Sequence, residues 1–404
     1  MTAAGSSFTR NPPSSAFLGA ALLPAILTAW VLWVAPIPDL TADRTAIAAR
    51  DFTALWGAGQ LALLNDTAAL ADPALFTQSL RDWFGQGMPN QIWPYPPPTL
   101  MLAAPLAHLP LGWSFLFYTV ATLLLLWSML RLAGLERPLC ASVLLSPAIA
   151  DNILIGQNGA LTAALLVGGL SLLQRRPLLA GALLGMLILK PQLALLVPIC
   201  LVAGAHWRAA MTALAVGAAI VGLSWACFGP QAWTDYATIA RPAIQAYFEA
   251  PWDSASAQHI FASAFMAGRS LGATLTVAYA IQCLVTAACA VVTFLAWRRP
   301  GAEPRLRVAL TLALACLASP WIHSYDMTAL AVAIVTLSRT DRALSRFALA
   351  LAWCWPALLM LVAIPVSLLF CSTAAVAALA WHADRRGHLD TSWRPLACDT
   401  PVSF

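Results

Sequence analysis

The sequence predicts an all-α polytopic membrane protein, and three observations predict it. Of 404 residues, 60% are hydrophobic and only 10% are charged, whereas an ordinary soluble domain carries about a quarter charged residues. Apolar runs that cross, or nearly cross, a hydrocarbon core of roughly 30 Å recur from end to end, and with no water in that core helices satisfy the backbone better than barrel strands. The cationic side chains, finally, gather on alternate connections between those runs.

About twelve transmembrane helices follow in order: 16–38, 112–131, 138–150, 158–174, 177–189, 192–204, 207–227, 272–297, 305–320, 325–338, 344–358 and 362–381. The first is long and lacks a small-residue cleavage site, so it reads as a retained anchor and not as a removed signal peptide. Those starting at 138, 177, 192 and 325 fall short of the usual ~20 residues and read as broken or half-membrane helices. Placing the amino terminus in the cytoplasm puts 16 of the 22 cationic residues inside. Only Arg44, Arg50, Arg81, Lys190, Arg241 and Arg269 then lie outside, as the positive-inside rule requires. The expected location is a cell inner membrane, crossed many times, with the active face extracytoplasmic.

Residues 1–15 form a flexible Ser/Pro-rich cytoplasmic terminus, 16–381 the single membrane domain, and 382–404 a short cytoplasmic tail. Two outer loops are large, 39–111 and 228–271. The net charge of +5 describes the cytoplasmic rim and gives no indication of nucleic acid. Eight of the nine cysteines lie in or beside apolar runs with no CxxC pair, so they read as small core residues.

In the first outer loop, Phe52, Leu55, Trp56, Gly59 and Leu63 share one helical stripe, with Asp51 one turn before Leu55 at its edge. This predicts a helix lying along the membrane surface with a carboxylate at its rim. Asp72-Pro73 starts a second helix, which Gly85 and Gly87 end. The prolines of Trp93-Pro94-Tyr95-Pro96-Pro97-Pro98 make a stiff extended segment holding two aromatic rings near the interface. The second loop carries Trp233, Tyr236, Tyr247, Phe248 and Trp252, suited to covering a lipid chain or stacking on a sugar ring.

Four polar clusters stand at the outer ends of different spans: Arg50-Asp51, Gly156-Gln157-Asn158-Gly159, Lys190-Pro191-Gln192 and His323-Ser324-Tyr325-Asp326. Each is expensive at that depth without work or a partner. Lys190 is the only lysine in the chain. The proline after it breaks the helix and frees backbone groups beside the cation, a combination that suits a phosphate; the plain alternative is a lysine snorkelling from a span end. His323 and Asp326, three apart, share a helical face and suit a phosphate or a sugar hydroxyl, or else Ser324 or Asp326 simply caps a helix start. Gln157 and Asn158 make either a sugar contact or a polar turn. Asp51 is either a first-turn acid paired with Arg50 and stabilised by the helix dipole, or a general base that takes a proton from an acceptor hydroxyl.

These stretches resemble glycosyltransferase family 87, integral-membrane enzymes of the GT-C superfamily. The resemblance is carried by RDFTALWGAGQLALLNDTAALADPALF at 50–76, YPPPTLMLAAPLAHLP at 95–110, the block from GQNG at 156 to KPQLALLVP at 198, and SPWIHSYDM at 319–327. It implies a GT-C fold and transfer of a sugar, often mannose, from a polyprenyl-phosphate donor to a lipid-linked or glycan acceptor at the outer face, with inversion. By the same resemblance Asp51 matches the catalytic base and His323 a position near the donor phosphate. Lys190, Gln157, Asn158, Gln192, Asp326, Arg50 and Tyr95 are the further candidates for donor phosphate or sugar binding. No second acid adjoins Asp51 in the sequence, and cationic side chains can assist a lipid-phosphate leaving group, so no cofactor and no metal is expected. The alternative function is a multi-pass lipid or solute transporter with Lys190, His323 and Asp326 as its polar pathway; it requires two related halves, which the sequence does not display.

Overall fold

The computed structural model describes residues 51–253, 257–338, 348–356 and 369–386. The proposed span 16–38, Arg50, both ends of the chain, and parts of the proposed spans 344–358 and 362–381 lie outside the described residues. Helices dominate, and among the described residues the only β pairing is an isolated bridge between Phe261 and His323. The helices that matter for the site are α1 (Phe52–Leu63), α2 (Pro73–Phe84), α3 (Leu100–Ala107), α4 (Leu111–Leu132), α5 (Arg137–Leu144), α6 (Pro147–Ile155), α7 (Gly159–Leu172), α8 (Pro177–Gly185), α9 (Trp207–Asp235), α10 (Arg241–Glu249), α11 (Leu275–Arg298), α12 (Pro304–Ala318) and α13 (Thr328–Leu337).

Three helical stretches among the described residues are long and apolar enough to cross a membrane: Leu111–Leu132, Trp207–Glu249 and Leu275–Arg298. A fourth is α5 with α6, if a pair bent by 46° counts as one span. The remaining apolar helices are short, and the breaks have local causes. α8 tightens into the 3-10 turn Met186–Leu189 and stops at Lys190, because Pro191 cannot continue the ladder. α6 ends on Gly156 in the left-handed region (φ +78°), where glycine carries no steric penalty.

Two expectations for the outer loops change. α1 forms where the stripe predicts, but it is no surface helix, since Phe52, Ala54, Leu55, Ala58, Leu61 and Ala62 are all buried. Gly59 has no side chain to hold it away from α3, and any Cβ there would run into the Ala103 carbonyl. Close packing of this kind buries a helix that pattern alone leaves half exposed. The side chains of Trp56 and Gln60 fasten the pair by donating to the Leu109 and Ala107 carbonyls at 2.9 and 2.5 Å. The Trp93 and Tyr95 rings, likewise, are buried edge to face at 5.0 Å instead of lying at an interface.

Much of 228–249 is helix. α9 bends at Gly229 (φ +74°), resumes at Pro230, and continues through a π-turn at Tyr236–Ala240 into α10. Proline stands at the first position of a new helical segment without loss, because its missing N–H would be unpaired there anyway. Asp235 in the resumed segment accepts from Thr67 at 2.8 Å, which ties this arm to the first loop. The Asp72 cap is as expected: its carboxylate accepts from the Ala74 and Leu75 N–H groups at 2.8 and 3.1 Å, and the helix ends at Gly85.

Candidate functional site

Asp51 stands directly before α1, and its backbone N–H donates to the Ile155 carbonyl at the end of α6 at 2.8 Å. That contact depends on Gly156, because a Cβ there would lie 2.8 Å from the Phe52 Cβ. Gly159 does the same on the other side, its α-carbon pressed against the Tyr325 carbonyl with no room for a side chain. The two glycines of Gly156-Gln157-Asn158-Gly159 therefore pin the turn between α1 and the Ser324–Met327 turn, and the two amides between them reach Asp51, Tyr95 and Lys190.

The result is a continuous chain of polar contacts. The Gln157 Nε2 donates to the Asp51 Oδ2 at 2.9 Å, and the Tyr95 hydroxyl donates to the Gln157 Oε1 at 3.0 Å. The Asn158 Nδ2 donates to the Tyr95 oxygen at 3.0 Å. The Lys190 Nζ then donates to the Asn158 Oδ1 at 3.0 Å and to the Asp326 Oδ1 at 2.5 Å. The second Asp326 oxygen accepts from the His323 backbone N–H at 3.3 Å. Five separate segments of the chain, from residue 51 to residue 326, thus meet in one relay, and the extended Pro-rich segment contributes its centre through Tyr95.

Within it the groups differ in electrostatic state. Lys190 and Asp326 are 2% and 1% exposed, a paired and hydrogen-bonded arrangement that buried charges require. Asp51 is half-buried and does not use its side chain to cap α1. Burial lifts its carboxyl above the usual aspartate range, and the Gln157 hydrogen bond opposes that rise. Tyr95 is raised well above an ordinary phenol by burial and then by Asp326, so it stays protonated and donates. His323 is held well below its usual value by burial and the Lys190 charge, which makes its ring neutral. That ring stacks on Tyr325 at 4.8 Å and touches Phe261 at 4.0 Å, with its Nδ1 buried and unpartnered.

Of the sequence-derived candidates, Asp51, Tyr95, Gln157, Asn158, Lys190, Asp326 and His323 are brought together. Gln192 is half-buried beyond the proline and makes none of these contacts, because the 3-10 turn at Pro191–Ala194 carries it past Lys190. Arg50 lies outside the described residues. Lys190 is not a snorkelling lysine: its ammonium is buried and committed to Asp326. Asp326 caps the Ser324–Met327 turn, as the capping reading has it, and is in addition the ion-pair partner of Lys190. Sequence reasoning missed Asp151, a buried acid on α6, and also Phe261, which packs on His323; Asp151 left one signal, a lone acid closing an apolar run.

No curated protein and no solved structure matches the chain. The model of glycosyltransferase family 87 matches residues 93–320, a stretch that holds Tyr95, Asp151, Gln157, Asn158 and Lys190 and is joined to Asp51 and Asp326 by the hydrogen bonds above. That stretch is more than half of the chain, and the chain belongs to glycosyltransferase family 87, a family of membrane glycosyltransferases.

Proposed function

We propose that this glycosyltransferase moves a sugar, mannose in the first instance, from a polyprenyl-phosphate donor to a lipid-linked or glycan acceptor at the outer face of the membrane, with inversion at the anomeric carbon. The observation that carries the reading is the relay from the half-buried Asp51 carboxylate to the buried Lys190–Asp326 pair. Asp51 takes the acceptor hydroxyl proton as that oxygen attacks the anomeric carbon. The sugar–phosphate bond breaks, and the electron pair leaves on the phosphate oxygen. Lys190 has three N–H donors and spends two on Asn158 and Asp326, which leaves one for the growing charge on that oxygen. Gln157 holds the base in place, and Tyr95 holds Gln157, so orientation and proton acceptance are assigned to different residues.

Incubating the purified protein with a panel of radiolabelled polyprenyl-phosphate sugars, followed by lipid extraction, tests the reading. Transfer of label to a new lipid or glycan product supports it. Label that crosses a proteoliposome membrane unconsumed would instead mark a transporter.

The pH profile carries a further expectation. A base works only when ionised, so kcat/KM falls as pH drops through the Asp51 pKa, and burial places that acid limb above the usual carboxylate range. The Gln157 hydrogen bond favours the ionised form. Gln157→Leu therefore moves the acid limb further toward neutrality, and a limb that stays in place or moves to lower pH would remove Gln157 from this role.

A further inference from the structure

Asp151 sits on α6, 1% exposed, with its Oδ2 buried and without a hydrogen-bond partner. The Ser324 hydroxyl faces it, equally buried and likewise without a formed hydrogen bond. α6 packs against the Ser324–Met327 turn, α7 and α13, and its end bonds Asp51. From the turn the titratable groups are Tyr325 and Asp326, from the start of α1 it is Asp51, and α7 and α13 contain no titratable side chain. Among the described residues, therefore, the charges acting on Asp151 are both negative, and the one nearby lysine is already held by Asp326 at 2.5 Å. An ionised carboxylate in such a place has no cation to offset its lost hydration, and the Ser324 hydroxyl is the one donor that faces it among the described residues.

We propose that Asp151 is a proton-holding positioning residue of the donor site: uncharged, it donates its O–H to Ser324 and leaves Lys190 available to an anionic donor, and its ionisation weakens donor binding. This rests on the polyprenyl-phosphate donor of the preceding section. The proton transfer involved is simple: the carboxyl O–H bond breaks, the proton leaves to solvent on the alkaline side, and the carboxylate remains beside Asp326 and Asp51. Two like charges ~10 Å apart at an effective dielectric of ~20 correspond to about a tenfold difference in affinity, which sets the size of effect to look for.

Two measurements test this. The first is the equilibrium Kd of a short-chain polyprenyl-phosphate mannose against pH, for the wild type, Asp151→Asn and Asp151→Leu. The wild type should lose affinity about tenfold on the alkaline side, while Asp151→Asn, permanently neutral and still able to bond Ser324, should keep a flat profile. Asp151→Leu should bind more weakly than Asp151→Asn at every pH, because it puts an apolar group where the buried Ser324 hydroxyl faces a polar one. An Asp151→Asn profile that keeps the alkaline loss overturns the proposal. The second is the difference infrared spectrum of wild type minus Asp151→Asn, which should contain the carbonyl stretch of a protonated carboxylic acid at neutral pH. Its absence overturns the proposal whatever the donor is, whereas failure of the wild type to bind the donor at any pH, with that band present, overturns the donor assignment instead.

Discussion

Asp51→Asn is expected to lower kcat by roughly 10²-fold or more while leaving donor KM within a few-fold of wild type. The substitution is close to isosteric. Its amide carbonyl can accept the same Gln157 Nε2 hydrogen bond that Oδ2 accepts at 2.9 Å, and the backbone bond to Ile155 at 2.8 Å does not involve the side chain. What disappears is the capacity to take a proton. A purely structural Asp51, needed to anchor α1 on α6, would tolerate the amide, so the kcat-against-KM split separates the two roles. Initial rates with a supplied polyprenyl-phosphate mannose measure it; an unchanged rate removes Asp51 as the base.

The second large effect concerns the buried pair. Lys190→Met should destabilise the fold by about 3–5 kcal/mol, because it strands the Asp326 charge in a site that is 1% exposed. It also removes the donor that Asn158 receives at 3.0 Å, so the relay toward Asp51 loosens. Lys190→Met combined with Asp326→Leu should regain most of that stability, since removing both charges removes the uncompensated one. The double variant should nonetheless remain inactive, for it offers no cation to the departing phosphate. Denaturation in detergent together with transfer assays on both variants provides the check. Activity that returned with stability would make the pair a structural staple and nothing more.

How far the site could be read from the chain depends on what kind of interaction makes it. Asp72, Pro73 and Gly85 act locally, through capping and backbone preference, and the helix they bound lies where those residues require. Gly156-Gln157-Asn158-Gly159 and Lys190-Pro191 were conspicuous as polar groups among apolar runs, and the fold joins them. Whether Lys190 ended alone or paired was not written in its neighbours, because its partner lies 136 positions away. The burial of α1 depended on the fit of Gly59 against Ala103, a tertiary contact invisible to a stripe count. Gly156 and Pro191 fall between proposed spans, where the apolar runs already part, whereas the bend of 46° between α5 and α6 falls inside the proposed span 138–150 and has no mark in apolar length. Asp151 escaped notice because an acid at the end of an apolar run looks like a span terminus until its burial is known.

The anomeric configuration of the product tests the central claim most directly, since it reports whether a single carboxylate serves as base or as nucleophile. Among the described acids of this site Asp326 is paired with Lys190 and Asp151 is fully buried, while Asp51 is the least buried, so with Asp51 as base one displacement should invert the sugar carbon. Nuclear magnetic resonance of the purified product, compared with the donor, should therefore give the opposite anomer. Retention of the donor's configuration would mean a second displacement took place and would contradict the assignment of Asp51 as base.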